Sequence, residues 1–443
     1  MKNDRTPFAQ SLKACATIAA TLLFSASLLA ESPDAFERGL LSNETLRIDY
    51  MFTGTDKTAE VSLCQMSRTD GWYGRRVNMD KVPVLGNGNI TMRDASTGKI
   101  LYTNSFSTLF QEWQTSEEAS RIKKSFENSF FVPMPGVKAE VRITLFDLFN
   151  NEICSYTHIV DPSDILIRRS GQHPPMHKYL LRSGKSEEKI DIAFVSEGYS
   201  AKEMRTFFRD AANGMDALLE HEPFRSMKDR FNFVAIFIPS RDSGISIPHE
   251  GLWYDTAVGS SFDTFYSERY LTTLKIFKLH DALSGVPYEH LIILANTENY
   301  GGGGIYNSYT LTSAHHSTFR PVLVHEFGHS FGALGDEYYY DDQFVNYYYK
   351  GTEPWEQNLT TLADFESKWK DMISDTAQPF PTPVDWSEDA EHIGLYEGGG
   401  YMSRGVYRAC VNCRMKTNEA PQFCPVCRRA ISRIIDFNTV EAK

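Results

Sequence analysis

Between about Leu41 and Val160 apolar and polar residues alternate with a period of two, most regularly in Val137-Lys-Ala-Glu-Val-Arg-Ile-Thr-Leu145. Side chains of an extended chain point alternately to opposite faces, so this pattern predicts strands with one apolar and one charged face. Leu46–Tyr50 and Ala59–Leu63 follow the same rule, and Ile153–Ile159 follows Val137–Leu145 across Asn150-Asn151, which predicts a hairpin. A β-sandwich over residues 31–168 accommodates these strands.

Ser170-Gly-Gln-His-Pro-Pro-Met-His177 breaks every period, and a linker is expected over residues 169–186. Beyond it the apolar runs become continuous. Lys189–Val195, Phe231–Ile238 and His290–Ala295 predict buried strands, and Ser200-Ala-Lys-Glu203 has capping-box spacing ahead of a helix over Met204–Leu219. A further helix is expected over Tyr270–Leu283. Strands alternating with helices predict an α/β domain over residues 187–443, so the whole chain reads as α+β and multidomain.

A length of 443 residues exceeds one ordinary domain. A formal net charge of −12, with no long basic run, argues against nucleic acid as a partner. Lys2, Arg5 and Lys13 precede the apolar run ACATIAATLLFSASLLA, which ends near Ala30 and is followed by polar ESPD. That arrangement predicts a secretory leader over residues 1–30, with an N-terminal membrane anchor as the alternative. The mature chain is then expected to be secreted, periplasmic or held at the cell surface, without a membrane span.

VHEFGHSFGALGDEY, Val324 to Tyr338, places His325 and His329 four residues apart. On a helix they lie one turn apart on one face, where two neutral imidazoles can reach one zinc ion. Glu326, about 100° around, can take a proton from a water at the metal without occupying a coordination position. Leu323, Phe327, Phe331 and Leu334 form an apolar stripe on the opposite face. With 12 histidines in 443 residues, HExxH arises by chance in roughly one such chain in fifty. A third ligand is required, and Gly332 and Gly335 would let the helix end and return Asp336 or Glu337 to the metal. Asp336 is favoured over Glu337 and over the more distant Glu353, Glu356 and Glu366.

The chain resembles the bacterial IgA-peptidase family, a branch of the metzincin-like zinc peptidases. VHEFGHSFGALGDEY is similar to its zinc-binding helix, and Asn299–Tyr309 to its glycine run and edge strand. Cys413-Arg-Met415 and Phe423-Cys-Pro-Val-Cys427 are similar to its methionine turn and closing segment, so the likeness spans about Lys189 to Ile435. It implies an α/β zincin catalytic domain behind a β-rich N-terminal domain, and zinc-dependent hydrolysis of a protein or peptide substrate. Met415 would form a packing floor beneath the metal, with Met402 its rival. The chain departs from HExxHxxGxxH and HExxHxxGxxD, because Gly335 stands where the third ligand is expected and Asp336 comes one residue later.

Ile305–Thr312 is the expected edge strand, to which an extended peptide could add by main-chain hydrogen bonds. Gly301–Gly304 either lets substrate backbone approach closely or is a flexible loop. The tyrosine runs at 338–340 and 347–349 read as packing and surface-loop residues. Cys410-Val-Asn-Cys413 and Cys424-Pro-Val-Cys427 fit two disulfides or a structural zinc, and Cys64 and Cys154 fit a disulfide or free buried thiols. Three functions stay open at this point: a secreted zinc endopeptidase with Glu326 as general base, a non-enzymatic surface binding protein or adhesin with a structural zinc, and a hydrolase of non-peptide amides.

Overall fold

The computed structural model describes residues 35–341 and 347–440. The expected leader, residues 1–30, lies outside them. No helix among the described residues is long and apolar enough to cross a membrane.

The N-terminal region holds β1 (Leu41–Gly54), β2 (Ala59–Asp70), β3 (Gly88–Asp94), β4 (Ile100–Phe106), a short helix α1 (Leu109–Trp113), β5 (Lys124–Pro135), β6 (Ala139–Phe146), β7 (Glu152–Val160) and β8 (Arg168–Arg169). They make two four-stranded sheets, ordered β5-β1-β2-β8 and β4-β3-β6-β7. The period-two pattern explains their faces: Leu46, Ile48, Tyr50 and Phe52 of β1 and Val141, Ile143 and Leu145 of β6 are fully buried in one shared core. β6 and β7 form the expected antiparallel hairpin, with Asn150 turning the chain at positive φ.

The second region is built on a six-stranded sheet. Its members are β9 (Met176–Arg182), β10 (Ile190–Glu197), β11 (Phe231–Phe237), β14 (His290–Ala295), β15 (Gly302–Ile305) and β16 (Tyr309–Ser313), ordered β15-β16-β14-β10-β11-β9; β12 (Ser260–Ser261) and β13 (Thr272–Thr273) pair separately. β16, β14, β10 and β11 run parallel, and β15 and β9 are antiparallel edges. The continuous apolar runs are the mark of strands covered on both faces. Ile192 and Phe194 of β10 pack with Leu323 and Phe327 under the helices, whereas Ala193 and Val195 join the core shared with the N-terminal sheets. The helices are α2 (Met204–Leu219), α3 (Ile276–Leu283), α4 (Phe319–Ser330) and α5 (Pro425–Thr439). A small sheet of β17 (Tyr339–Tyr340), β18 (Leu359–Thr360), β19 (Tyr396–Gly399) and β20 (Tyr401–Arg408) sits beyond α4.

Three expectations need correction. The helix expected over Tyr270–Leu283 begins only at Ile276, because β-branched Thr272 and Thr273 are extended in β13 and Tyr270 bridges to Gly302, its hydroxyl 2.6 Å from Glu112 Oε2. The segment expected as linker, 169–186, contains β9, an edge strand whose apolar Tyr179, Leu180 and Leu181 are consecutive and only half-buried, so they show no alternation. The edge strand beside α4 is Gly302–Ile305, while the C-terminal half of the expected Ile305–Thr312 strand belongs to β16, flanked by β15 and β14.

The two regions are bound to each other by polar contacts as well as by the shared core. Arg47, 6 % exposed, holds Asp49 through Nε and Nη2 at 2.7 and 2.8 Å and reaches Asp281 through Nη1 at 2.7 Å. Tyr306 N–H donates to Ser107 Oγ at 2.9 Å, and Asn307 Nδ2 donates to the Ser105 carbonyl at 2.8 Å.

Candidate active site

α4 carries both histidines. Its apolar stripe is seated as the pattern predicts, with Leu323, Phe327 and Phe331 fully buried. The opposite face points His325 Nε2 and His329 Nε2 at each other, 3.1 Å apart. Each ring is fixed through its other nitrogen: His325 Nδ1 lies 2.9 Å from the Arg414 carbonyl, and His329 Nδ1 lies 2.6 Å from the Leu334 carbonyl. Since carbonyls only accept, both Nδ1 atoms carry the hydrogen and both Nε2 lone pairs face inward.

The chain then reverses. Neither expected glycine supplies the left-handed residue; Ala333 does, at φ 52°, with its N–H on the His329 carbonyl at 3.2 Å. Gly332 and Gly335 are needed for space instead, since a Cβ would come 2.6 Å from Gly328 O in one case and 2.6 Å from Leu359 Cδ1 in the other. The turn delivers Asp336 Oδ1 to 3.0 Å from His325 Nε2 and 3.2 Å from His329 Nε2. Its other oxygen accepts the Tyr401 hydroxyl.

The three donor atoms therefore form a triangle with edges of 3.0 to 3.2 Å. Ligands about 2.0–2.1 Å from zinc span tetrahedral edges of about 3.3–3.4 Å, so this triangle fits one face of such a site. Two inward imidazole lone pairs and a carboxylate also match the donor chemistry of zinc. Glu337, Glu353, Glu356 and Glu366 are not in this group.

The triangle opens on a cleft of about 1020 Å³. Glu326 lines it beside β15, where a Cβ on Gly302 would come 3.0 Å from its Oε1. Burial raises the Glu326 pKa above the usual carboxylate value, and the two histidines oppose that shift. The glycine run is not a flexible loop, since Gly302–Gly304 lie in β15, and the close approach it allows is to the chain's own α4: Cβ atoms at Gly302 and Gly304 would press on Glu326 and His329. Met415 fills the underside of α4, its Sδ 2.5 Å from where a Gly328 Cβ would stand, while Met402 lies in β20.

Several cleft residues escaped the sequence reading. Tyr338, Tyr340 and Tyr347–Tyr349 line the cleft, so the tyrosine runs do more than fill loops. The N-terminal region supplies a wall through Gln111, Glu112 and Thr115 on and after α1. Burial pushes the Glu112 carboxyl up to about 7, against the hydrogen bond from Tyr270. Phe149, at the hairpin turn, lies at the rim against Tyr349. Only the clustering of aromatics hinted at this.

An HExxH helix on a parallel-centred sheet, with a carboxylate returned to its two histidines by the turn after it, is the arrangement of a metallopeptidase. Comparison with known families agrees. The model described as IgA Peptidase M64 matches residues 179–391 and 384–435, and the one described as Peptidase M64 N-terminus matches residues 35–157. The chain belongs to the IgA peptidase M64 family. Among curated proteins none matches it.

Proposed function

We propose that the protein is an exported zinc endopeptidase in which His325, His329 and Asp336 hold the metal and Glu326 is the general base. The N-terminal sheets would then form a β-sandwich that walls the cleft of a metzincin-like zincin domain. The observation that carries this reading is the convergence of two oriented Nε2 atoms and one carboxylate oxygen within 3.2 Å, at the floor of an open cleft beside a carboxylate.

A zinc ion there would act as a Lewis acid towards water and the scissile carbonyl. Glu326 takes the proton from the attacking water at a carboxylate oxygen and returns it to the departing amine nitrogen. β15 is an edge strand bridged at Gly302 by Tyr270, and an extended substrate would add by its main chain to the rest of that edge, which would bring its carbonyls past Glu326. Such binding reads main chain first, so the cleft tyrosines and the α1 wall would set side-chain preference. Export rests on the leader-like N-terminus.

The test is casein digestion by purified protein, with and without chelator, and by Glu326→Gln. Chelator should abolish cleavage, and the variant should lose about 10²–10⁴-fold in rate while retaining its metal. Equal cleavage in all three overturns the reading.

A further inference from the structure

The four C-terminal cysteines do not form disulfides. All six described cysteines are free, and the sulfurs of Cys413 and Cys427 are separated by 3.7 Å. Three of the four thiols, those of Cys413, Cys424 and Cys427, converge instead on the carboxylate of Glu337, with every ligand atom within 4.8 Å of the others. Pairing any two of them would leave the third facing that carboxylate.

We propose that Cys413, Cys424, Cys427 and Glu337 bind a second divalent cation, zinc by donor chemistry, as a structural site behind the catalytic one. Thiolates about 2.3 Å from zinc have tetrahedral edges of about 3.8 Å, and a sulfur–oxygen edge is shorter by a few tenths. The 3.7 Å between Cys413 and Cys427 and the 3.2 Å between Cys427 Sγ and Glu337 Oε1 follow that order.

Glu337 supplies an independent sign. It is fully buried; Oε1 accepts from Asn358 Nδ2 at 2.9 Å, but Oε2 has no hydrogen-bond partner. A carboxyl oxygen orphaned in such an interior is costly, whether the group is charged or protonated, unless a ligand supplies the missing partner. The sulfurs are also prepared as acceptors. Cys413 Sγ receives the N–H groups of Cys424 at 3.2 Å and Met415 at 3.5 Å, and Cys424, the N-cap of α5, receives that of Cys427 at 3.5 Å. Loading would release three thiol protons to solvent.

Cys410 is the odd member. Its thiol lies 3.9 Å from the Glu391 carbonyl and shares a hydrogen bond with Cys424, but it is not part of the convergent group, so Glu337 takes the fourth position. The site would lock the ground beneath the peptidase centre. Glu337 N–H donates to Met415 O at 2.8 Å, and the residue before Met415, Arg414, supplies the carbonyl that orients His325.

The inference stands whether or not His325, His329 and Asp336 bind zinc, and the experiment separates the two. Metal analysis and zinc-edge X-ray absorption on the full chain should give about two zinc ions per chain, with a sulfur shell near about 2.3 Å beside the nitrogen and oxygen shell. His325→Ala/His329→Ala should retain about one zinc with the sulfur shell intact, and Cys410→Ser should retain both. Glu337→Ala and Cys424→Ser should lose the sulfur-bound ion where they fold. A wild-type spectrum without sulfur scattering overturns the proposal, as does an intact mass showing these thiols oxidised. Loss of the sulfur shell in Cys410→Ser would overturn the assignment of Glu337.

Discussion

Asp336 and Glu337 are consecutive, yet their carboxylates serve different clusters: Asp336 Oδ1 lies 3.0 Å from His325 Nε2, and Glu337 Oε1 lies 3.2 Å from Cys427 Sγ. The peptide between them is held on both sides, by Gly400 N–H on Asp336 O at 2.7 Å and by Glu337 N–H on Met415 O at 2.8 Å. A disturbance on the cysteine side therefore has a short rigid path to the histidines.

Asn358 tests that path. It is fully buried and brackets Gly335, accepting from its N–H at 2.8 Å and donating to its carbonyl at 2.9 Å, while also donating to Glu337. Asn358→Ala leaves buried groups unpaired on both sides of the turn. It should cost about 3 kcal/mol in urea unfolding and lower peptidase activity, because Asp336 loses its fixed placement. Unchanged activity with lowered stability would show that the turn is held by other means.

Tyr401 donates to the Asp336 oxygen that faces away from the histidines. Partners of this kind orient a ligand and tune its basicity, and removing one typically costs 10–100-fold in metal affinity or activity. Tyr401→Phe should weaken metal binding by about that factor in a chelator competition, with little change in the unfolding midpoint. Wild-type affinity would mean that the two histidines and the turn alone fix Asp336.

Gly304 marks where β15 lies directly on α4. A Cβ there would overlap the Glu326 carbonyl oxygen and come 2.9 Å from His329 Cβ. Gly304→Ala should push strand and helix apart, costing about 1–3 kcal/mol and more than tenfold in kcat. Gly251→Ala is the control: it has positive φ but open space, so it should show only a small stability loss and full activity.

What was legible in the sequence follows from range. Patterns within one element carried through: the strand alternation of β1, β2, β6 and β7, the capping box at Ser200 and Glu203, and the apolar stripe of α4 are all present. His325, His329 and Asp336 could be singled out because they lie within twelve consecutive residues. Tyr401 is 65 residues from Asp336, and the Arg414 carbonyl is 89 residues from His325, so no local period announces either. The α1 wall belongs to the other region altogether. Tyr270–Thr273 misled because apolar spacing continued upstream of the true helix start, and only the β-branched pair argued otherwise. The cysteine spacing admitted both disulfides and a metal; deciding between them needed Glu337, which sits 76 residues before Cys413 in a segment read only for the first site.

The contact between the two regions should weaken in acid through His280. This α3 residue is 7 % exposed, stacks on Tyr288, meets the Phe131 ring of β5 edge-on and shares a 2.8 Å hydrogen bond between Nδ1 and the Tyr288 hydroxyl. Burial, with the Arg47 guanidinium nearby, holds its pKa well below the usual imidazole value. Asp49 and Asp281, the other charges here, are both engaged by Arg47. The folded pKa is depressed, so between it and the ordinary value of about 6.5 the unfolded chain binds the extra proton. The contribution is complete above about 6.5 and is lost as pH falls from there towards the folded pKa. One such group gives a slope of at most about 1.4 kcal/mol per pH unit. His290, His221 and His158 are shifted the same way, so the His280 part must be read as a difference. Urea unfolding of wild type and His280→Gln on both sides of about pH 6.5 should show a shallower loss in the variant; parallel curves would remove His280 as the acid-sensitive contact.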